Sequence, residues 1–418
     1  MADQLVLAFD MGTQSARAML VNPKGEIVQK TQKVYEKPYY SKQPNWAEQK
    51  AEFYWESLCE VSRALKEKAG AKWADIIAVT CSTIRDTCLC LDKNYNPLRD
   101  VIVWIDDRKA ENLPPLPGAL NAVLKVSGLK ERVDLQRRDS ACNWIAVNEK
   151  DIWEKTAKYV MISTWLNYKL CGNLADAAAS IVGHVPYDSK IRAWMKQSDI
   201  RRYVFMVDDD KLFDIVETGT VLGTITAKTA EDTGISAGLP LVATGSDKGC
   251  ETLGLSCISS DKATLSFGTT ATVQLSTQNY MEPSPHMPPY AAVVPGYYNP
   301  EIEIYRGYWL LSWFKKEFAA KEVIDAARLG VSAEHLLDER LCEIKPGCDG
   351  LILQPYFTPG VDMPYAKGAV IGFSDIHTRI HLYRAIIEGI NFALMEGLRS
   401  MEKRGHLKVK SIYVAGGG

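Results

Sequence analysis

Neither sign of charge dominates this chain: among its 418 residues, 49 Lys and Arg stand against 51 Asp and Glu, a net charge of −2. That balance excludes a strong electrostatic pull toward nucleic acid or an anionic membrane surface, so neither is expected as a partner. No apolar run approaches the length that a bilayer-spanning helix needs. Asp3 leads straight into a strand-like segment, with no basic stretch, apolar core and cleavage site before it, so no secretion signal is visible. The 10 cysteines are scattered. Their nearest pairs, Cys88-x-Cys90 and Cys342-x5-Cys348, do not make a paired zinc pattern, and the set reads as reduced, mostly buried thiols of a cytoplasmic protein.

What is present is ordinary for a soluble globular protein: 46% apolar and 24% charged residues, with a length that suggests two domains. The informative features are two glycine-threonine turns far apart in the chain, Phe9-Asp10-Met11-Gly12-Thr13 and Phe267-Gly268-Thr269-Thr270. Each joins a strand-like run to a second one. The first sits between Leu5–Asp10 and Ala16–Val21, with a third strand expected after the Pro23-Lys24-Gly25 turn. Glycine lets backbone approach a ligand closely, and successive amide N–H groups, with the Thr13 and Ser15 hydroxyls, can cradle phosphate oxygens. Asp10, ending a buried strand, is the carboxylate expected to face a phosphate-bound magnesium. A lone turn of this kind is commonly just a hairpin. Two in corresponding places point to a duplicated ATPase.

Between them, Asn45 to Ala69 reads as a helix opened by an Asn45-x-x-Glu48 capping arrangement, with Ala51, Tyr54, Leu58, Val61 and Leu65 inward. Strands are expected at Ile76–Cys81, Cys88–Leu91 and Val101–Trp104, and another helix over Asp151–Leu170. The strand Leu239–Thr244 leads into Gly245-Ser246-Asp247-Lys248-Gly249. Asp247 thus lies at the C-terminal edge of a strand, where α/β proteins place ligands, although it also suits a helix N-cap. Farther on come a strand at Gly350–Gln354, a loop over Tyr356–Lys367, a long amphipathic helix over Leu382–Lys403 and a strand at Ser411–Val414. The run Ala415-Gly416-Gly417-Gly418 is a turn of the kind that leads into another helix. His377 and His381 lack a third metal ligand, Asp208–Asp210 reads as a solvated loop, and Trp309, Trp313 and Phe314 read as helix core packing.

The Asp10-x-Gly-Thr-Gln-Ser-x-Arg17 hairpin, Trp46-x-Glu48, Trp104-x-Asp106-x-Arg108, Gly245-x-Asp247, Phe267-Gly-Thr-Thr270 and the terminal glycines together resemble the FGGY family of carbohydrate kinases. The most specific match is Gly368-x-Val370-x-Gly372, then His381-Leu382 and Ala385-Ile-Ile-Glu388, similar to that family's C-terminal signature. Phe373 departs from it, an aliphatic residue being usual there. The resemblance implies an α/β protein of two actin-like, ribonuclease-H-like ATPase domains around a central cleft. Residues 1–250 would form the N-terminal domain, and 251–418 an incomplete C-terminal one. It implies ATP, Mg2+ and a small sugar or polyol as ligands, with Asp247 as the base that takes the hydroxyl proton. Gly12, Thr13, Gln14, Ser15 and Arg17 would hold phosphates in the first domain and Gly268 and Thr269 in the second, with Gly416 and Gly417 against the adenosine. Arg85, Asp86 and Trp104 occupy the place of the family's polyol-binding residues, a surface ion pair being the alternative for the first two. Ser140-Ala-Cys-Asn-Trp144 lacks the lysine usual there, and the loop at Ser82 lacks a xylulokinase-like Gln-Met-His-Gly, which argues against glycerol and xylulose. A homodimer is compatible with all of this. The missing lysine, and a chain that stops at the glycine turn, leave a second reading: an actin-like nucleotide-binding protein or degenerate kinase without sugar kinase activity. Ending at that turn, the chain is expected to bind ATP weakly and to expose an apolar patch.

Overall fold

The computed structural model describes residues 4–358, 360 and 363–417. Asp3, Gly418 and three positions of the Tyr356–Lys367 loop therefore lie outside the described residues. Two compact units emerge, one running to Cys250 and including Ala291–Gly296, the other comprising Glu251–Tyr290 and the chain from Tyr297 onward.

In the first unit, β1 (Leu5–Met11) alternates fully and half-buried residues, with Leu5, Leu7, Phe9 and Met11 inward. β2 (Ser15–Val21) returns antiparallel, setting Asp10 opposite Arg17, and β3 (Ile27–Val34) continues the meander. After the two-residue β4 (Glu48–Gln49), α1 (Ala51–Ala69) lays Tyr54, Leu58, Val61 and Leu65 into the core beside β2 and β3. It delivers the chain to β5 (Ile76–Thr83), which runs parallel to β1.

β6 (Cys88–Leu91), β7 (Val101–Ile102) and β8 (Lys158–Met161) form a second sheet with β4, in the order β4-β7-β6-β8. Later, β9 (Val221–Thr224) and β10 (Pro240–Val242) complete the first sheet as β9-β10-β5-β1-β2-β3. Since β1, β5 and β10 are mutually parallel, the chain leaves all three at one sheet edge. Asp10, the loop after Thr83 and the start of α2 (Asp247–Gly254) are gathered there.

Three local expectations fail. Asn45 and Glu48 do not cap α1, which begins behind Lys50 with no side-chain cap, while Asn45 adopts a left-handed φ of 66°. Glu48 pairs instead with Ile102 across β4 and β7, because its carboxylate is drawn into a buried cluster of arginines. Asp151–Leu170 is not one helix. A short helix, Lys150–Lys155, gives way to β8, whose Tyr159, Val160 and Met161 are buried against β6, and a second helix covers Ile162–Cys171. Apolar spacing alone does not separate a buried strand from a buried helical turn. Lastly, the strand opening at Val101 stops at Ile102, before Trp104.

The second unit repeats the plan of the first. β11 (Lys262–Phe267) and β12 (Ala271–Leu275) form a hairpin, β13 (Glu301–Ile304) adds antiparallel to β12, and β14 (Ser411–Gly416) lies parallel to β11. The order β13-β12-β11-β14 has the same strand directions as β3-β2-β1-β5. α3 (Arg379–Gly405) packs Ile386, Leu394 and Leu398 into this core, beside β12 and β13. Thr378 and His381 form its capping box, and His377 bonds to Ser374 and the Cys348 carbonyl, so both histidines have structural partners. No group of three or more potential metal ligands occurs among the described residues. Phe314 is fully buried in the helix Trp309–Phe318, with Trp309 and Trp313 packed at its margin. Eight of the ten free cysteines are buried, and no described helix is long and apolar enough to cross a membrane.

Candidate active site

The β1–β2 turn is built by backbone bonds. The Gly12 amide donates to the Ser15 carbonyl at 3.0 Å, Ile84 donates to the Met11 carbonyl at 3.1 Å, and Tyr35 donates to the Gln14 carbonyl at 2.9 Å. Gly12 leaves little room for a side chain, since a Cβ there would stand 3.2 Å from the Ser15 oxygen. Trp104 reaches in from the loop after β7, its indole N–H donating to the Thr13 hydroxyl at 2.9 Å. Ser15 is buried at the head of β2. Register places Asp10 and Arg17 side by side, and the Arg17 guanidinium donates to Asp10 Oδ2 at 2.6 Å.

Asp247 opens α2 and accepts from its neighbour's amide, Lys248 N–H, at 2.8 Å. Its Oδ1 lies 3.8 Å from Arg85 Nε, and a third of its side chain stays exposed. Desolvation by its surroundings pushes this carboxyl above the usual range, Arg85 and Lys248 pull it back, and Asp10 adds to the rise. The Asp10 charge therefore reaches Asp247. The approach to Asp247 is fixed by Ser82, whose hydroxyl donates to the Gly245 carbonyl at 3.0 Å. Gly245 itself packs so tightly that a Cβ would stand 2.5 Å from Val293 Cγ2.

Arg85 and Asp86 do not form the surface ion pair that adjacent charges often make. Arg85 is nearly buried and turned to Asp247, while Asp86 is bound to His184, a residue the motif reading passed over. Its only signal in the sequence is its rarity: His184 is the one histidine in the first 250 residues.

In the second unit the Gly268 amide donates to the Thr270 carbonyl at 3.0 Å, while the carbonyls of Gly268 and Thr269 accept from Tyr308 and Trp309. Gly416 has φ 109°, and a Cβ there would stand 2.2 Å from the Phe267 carbonyl oxygen, so only glycine fits. Gly417 has open space around it. Register pairs Phe267 with Gly416 as it pairs Met11 with Thr83, so Gly416 ends β14 where Thr83 ends β5.

Comparison with solved structures defines the class first. The xylulose kinase of Rhodospirillum rubrum superposes with a TM-score of 0.79 at 24% identity, over 99% of this chain and 82% of that one, which fixes a two-domain actin-like fold. The family follows from the sequence. Family models for the N-terminal and C-terminal domains of the FGGY family of carbohydrate kinases match residues 5–254 and 263–418, and the chain belongs to that family. Among its relatives are an uncharacterized sugar kinase of Escherichia coli K12, 24% identical over 100% of this chain and 77% of that protein, and an autoinducer-2 kinase of Klebsiella pneumoniae, 26% identical over 99% and 78%. The chain is a carbohydrate kinase, and sugar kinases of this family use ATP.

Proposed function

We propose that this chain transfers the terminal phosphoryl group of ATP to a hydroxyl of a small sugar or polyol, with Asp247 as general base. The observation that carries the reading is Asp247 itself: a carboxylate at the C-terminal edge of the parallel strands, held back from ionising by its surroundings, faced by Arg85 and within electrostatic reach of Asp10. A base of raised pKa is better matched to taking a hydroxyl proton.

The residues present fit ATP and magnesium. Asp10 keeps Oδ1 clear of the Arg17 bond, and magnesium typically needs only one or two protein carboxylates beside phosphate and water, in keeping with the absence of a larger ligand cluster among the described residues. Gly12, Thr13, Gln14, Ser15 and Arg17 would hold phosphates in the first domain, residues 1–250. Gly268, Thr269, Gly416 and Gly417 would serve the nucleotide from the second, residues 251–418. ATP, when bound, supplies the phosphoryl group. Asp247 takes the proton from the acceptor hydroxyl, Arg85 lowers the pKa of that carboxyl and orients the sugar, and Trp104 holds Thr13 in place. Arg17, now on Asp10, would be available to a phosphate oxygen.

The test is ATP consumption over a panel of pentoses, hexoses, ketoses, sugar acids and polyols. Selective turnover of one class is expected, and ATP binding with no acceptor in any class would overturn the assignment. A second result follows from charge. Arg85→Gln removes the cation that most lowers the Asp247 pKa, so that pKa rises further. The base works deprotonated, and activity is lost as pH falls through its pKa. The acid limb of kcat/KM should therefore move to higher pH in the variant, with the sugar KM raised and the ATP KM nearly unchanged. An unmoved limb would disconnect Arg85 from the base.

A further inference from the structure

Asp86 spends both its oxygens on one neighbour. Oδ1 accepts from the His184 backbone amide at 3.0 Å and Oδ2 from the imidazole Nδ1 at 2.7 Å. The Asp86 amide in turn donates to the Val182 carbonyl at 2.9 Å. This arrangement is held at a cost in local backbone conformation. Asp86 sits at φ 45°, in the left-handed region that few non-glycine residues occupy, and Gly183 has φ 144° with a Cβ position only 2.2 Å from Asp86 Oδ1. Each oxygen keeps a second lone pair, but His184 already sets the orientation of both. What Asp86 presents is an imidazole.

A histidine with a purely packing role engages or buries both ring nitrogens. Here the side chain keeps a third of its exposure, and among the described residues no hydrogen bond reaches Nε2. The ring is oriented from behind, as a ligand-reading histidine needs, because the Asp86 bond fixes Nδ1 as donor and leaves Nε2 outward. It stands on the residue next to Arg85, whose guanidinium faces Asp247. Thr87 ties the same loop to the one bearing Trp104, donating to the Arg85 carbonyl and accepting from the Trp104 amide. Asp139 and Lys109 are the other charges that act on the ring.

We propose that His184 Nε2 is a sugar contact, hydrogen-bonded to a hydroxyl of the acceptor, and that Asp86 is the positioning residue that aims it. The inference rests on the sugar kinase reading above. Two isosteric replacements separate contact from support. In His184→Asn the amide nitrogen takes the place of Nδ1 and keeps the Asp86 bond, but nothing occupies the Nε2 position. In His184→Gln the amide nitrogen stands where Nε2 was and the Asp86 bond is lost.

The measurement is the KM for ATP and for the best acceptor among D-xylulose, D-gluconate and glycerol, in wild type and both variants. His184→Asn should raise the acceptor KM about 10-fold to 100-fold, the scale of one lost hydrogen bond with an unpaired partner, and leave the ATP KM within about two-fold. His184→Gln should retain more acceptor affinity than His184→Asn. An acceptor KM unchanged in His184→Asn, or a reversed order with Gln the worse, would reduce His184 to a support for Asp86 and overturn the proposal. If the wild type turns over none of the three acceptors, nor any other sugar, the kinase assignment and this inference fail together. Turnover with an unaffected acceptor KM overturns the inference alone.

Discussion

Asp247→Asn should lower turnover by roughly 10²–10⁴-fold, the usual scale for removing a positioned general base. The variant is well suited to isolate that role. Asparagine keeps the size of the side chain, and its carbonyl oxygen can still accept from the Lys248 amide that Asp247 now binds at 2.8 Å, so the start of α2 is preserved. Nor should the fold weaken. Desolvation already disfavours the charged form of Asp247, so an amide in its place removes a buried-charge cost at neutral pH. Arg85 loses an ionic neighbour, but only one at 3.8 Å. The expected pattern is thus a collapse of kcat with ATP affinity by calorimetry and the thermal midpoint near wild type. Turnover within a few-fold of wild type would remove Asp247 from the base role and send the search to another carboxylate.

How far the sequence discloses this molecule depends on the kind of interaction. The two Gly-Thr hairpins were legible because tight turns leave local marks, and so was Asp247, because an apolar strand followed by Gly-x-Asp advertises a strand edge. The long helix ending at Gly405 was legible from its periodicity. Glu48 was misread for the opposite reason. Locally it completes a capping pattern with Asn45, and nothing within a few residues of it shows that Arg99 and Arg108 converge on its carboxylate. The Asp86–His184 pair joins residues 98 positions apart, and no pattern of short range could link them. The strand Lys158–Met161 was hidden because Tyr, Val and Met in a row suit a buried helix turn as well as a buried strand. Its identity comes from the free edge of β6 beside it.

Glu48 also carries the largest stability effect. Its carboxylate is 1% exposed, accepts from Arg99 Nη2 at 2.5 Å, and lies 3.0 Å from Arg108 Nη1 and 2.8 Å from Lys42 Nζ. Arg108 lies against both Trp46 and Trp144, 3.9 and 4.6 Å from their ring centres, and is held by Asp106 through two bonds of 2.7 Å. Glu48→Ala would leave two buried guanidiniums with one carboxylate fewer. Removing one partner of such a cluster typically costs about 3–5 kcal/mol, far more than the pair's net worth, because the remaining charges stay desolvated. Urea denaturation should show that loss, and a Glu48→Gln variant, which keeps the volume and an acceptor oxygen, should recover part of it. The pH dependence gives an independent check. Burial raises the Glu48 pKa, but Lys42, Arg99 and Arg108 outweigh it and hold the carboxyl below its ordinary value. A depressed carboxylate stabilises the fold above its unfolded pKa, about 4.3, and that contribution fades as pH falls through the lower folded value. The gap between wild type and Glu48→Ala should therefore be full at neutral pH and shrink in acid. The same loss should reach the β1–β2 turn, because the loop that Arg108 and Asp106 brace carries Trp104 to Thr13, and on the proposed phosphate role of that turn the ATP KM should rise in Glu48→Ala. A loss under about 1 kcal/mol with no pH dependence would mean that the cluster behaves as a solvated surface network and braces nothing.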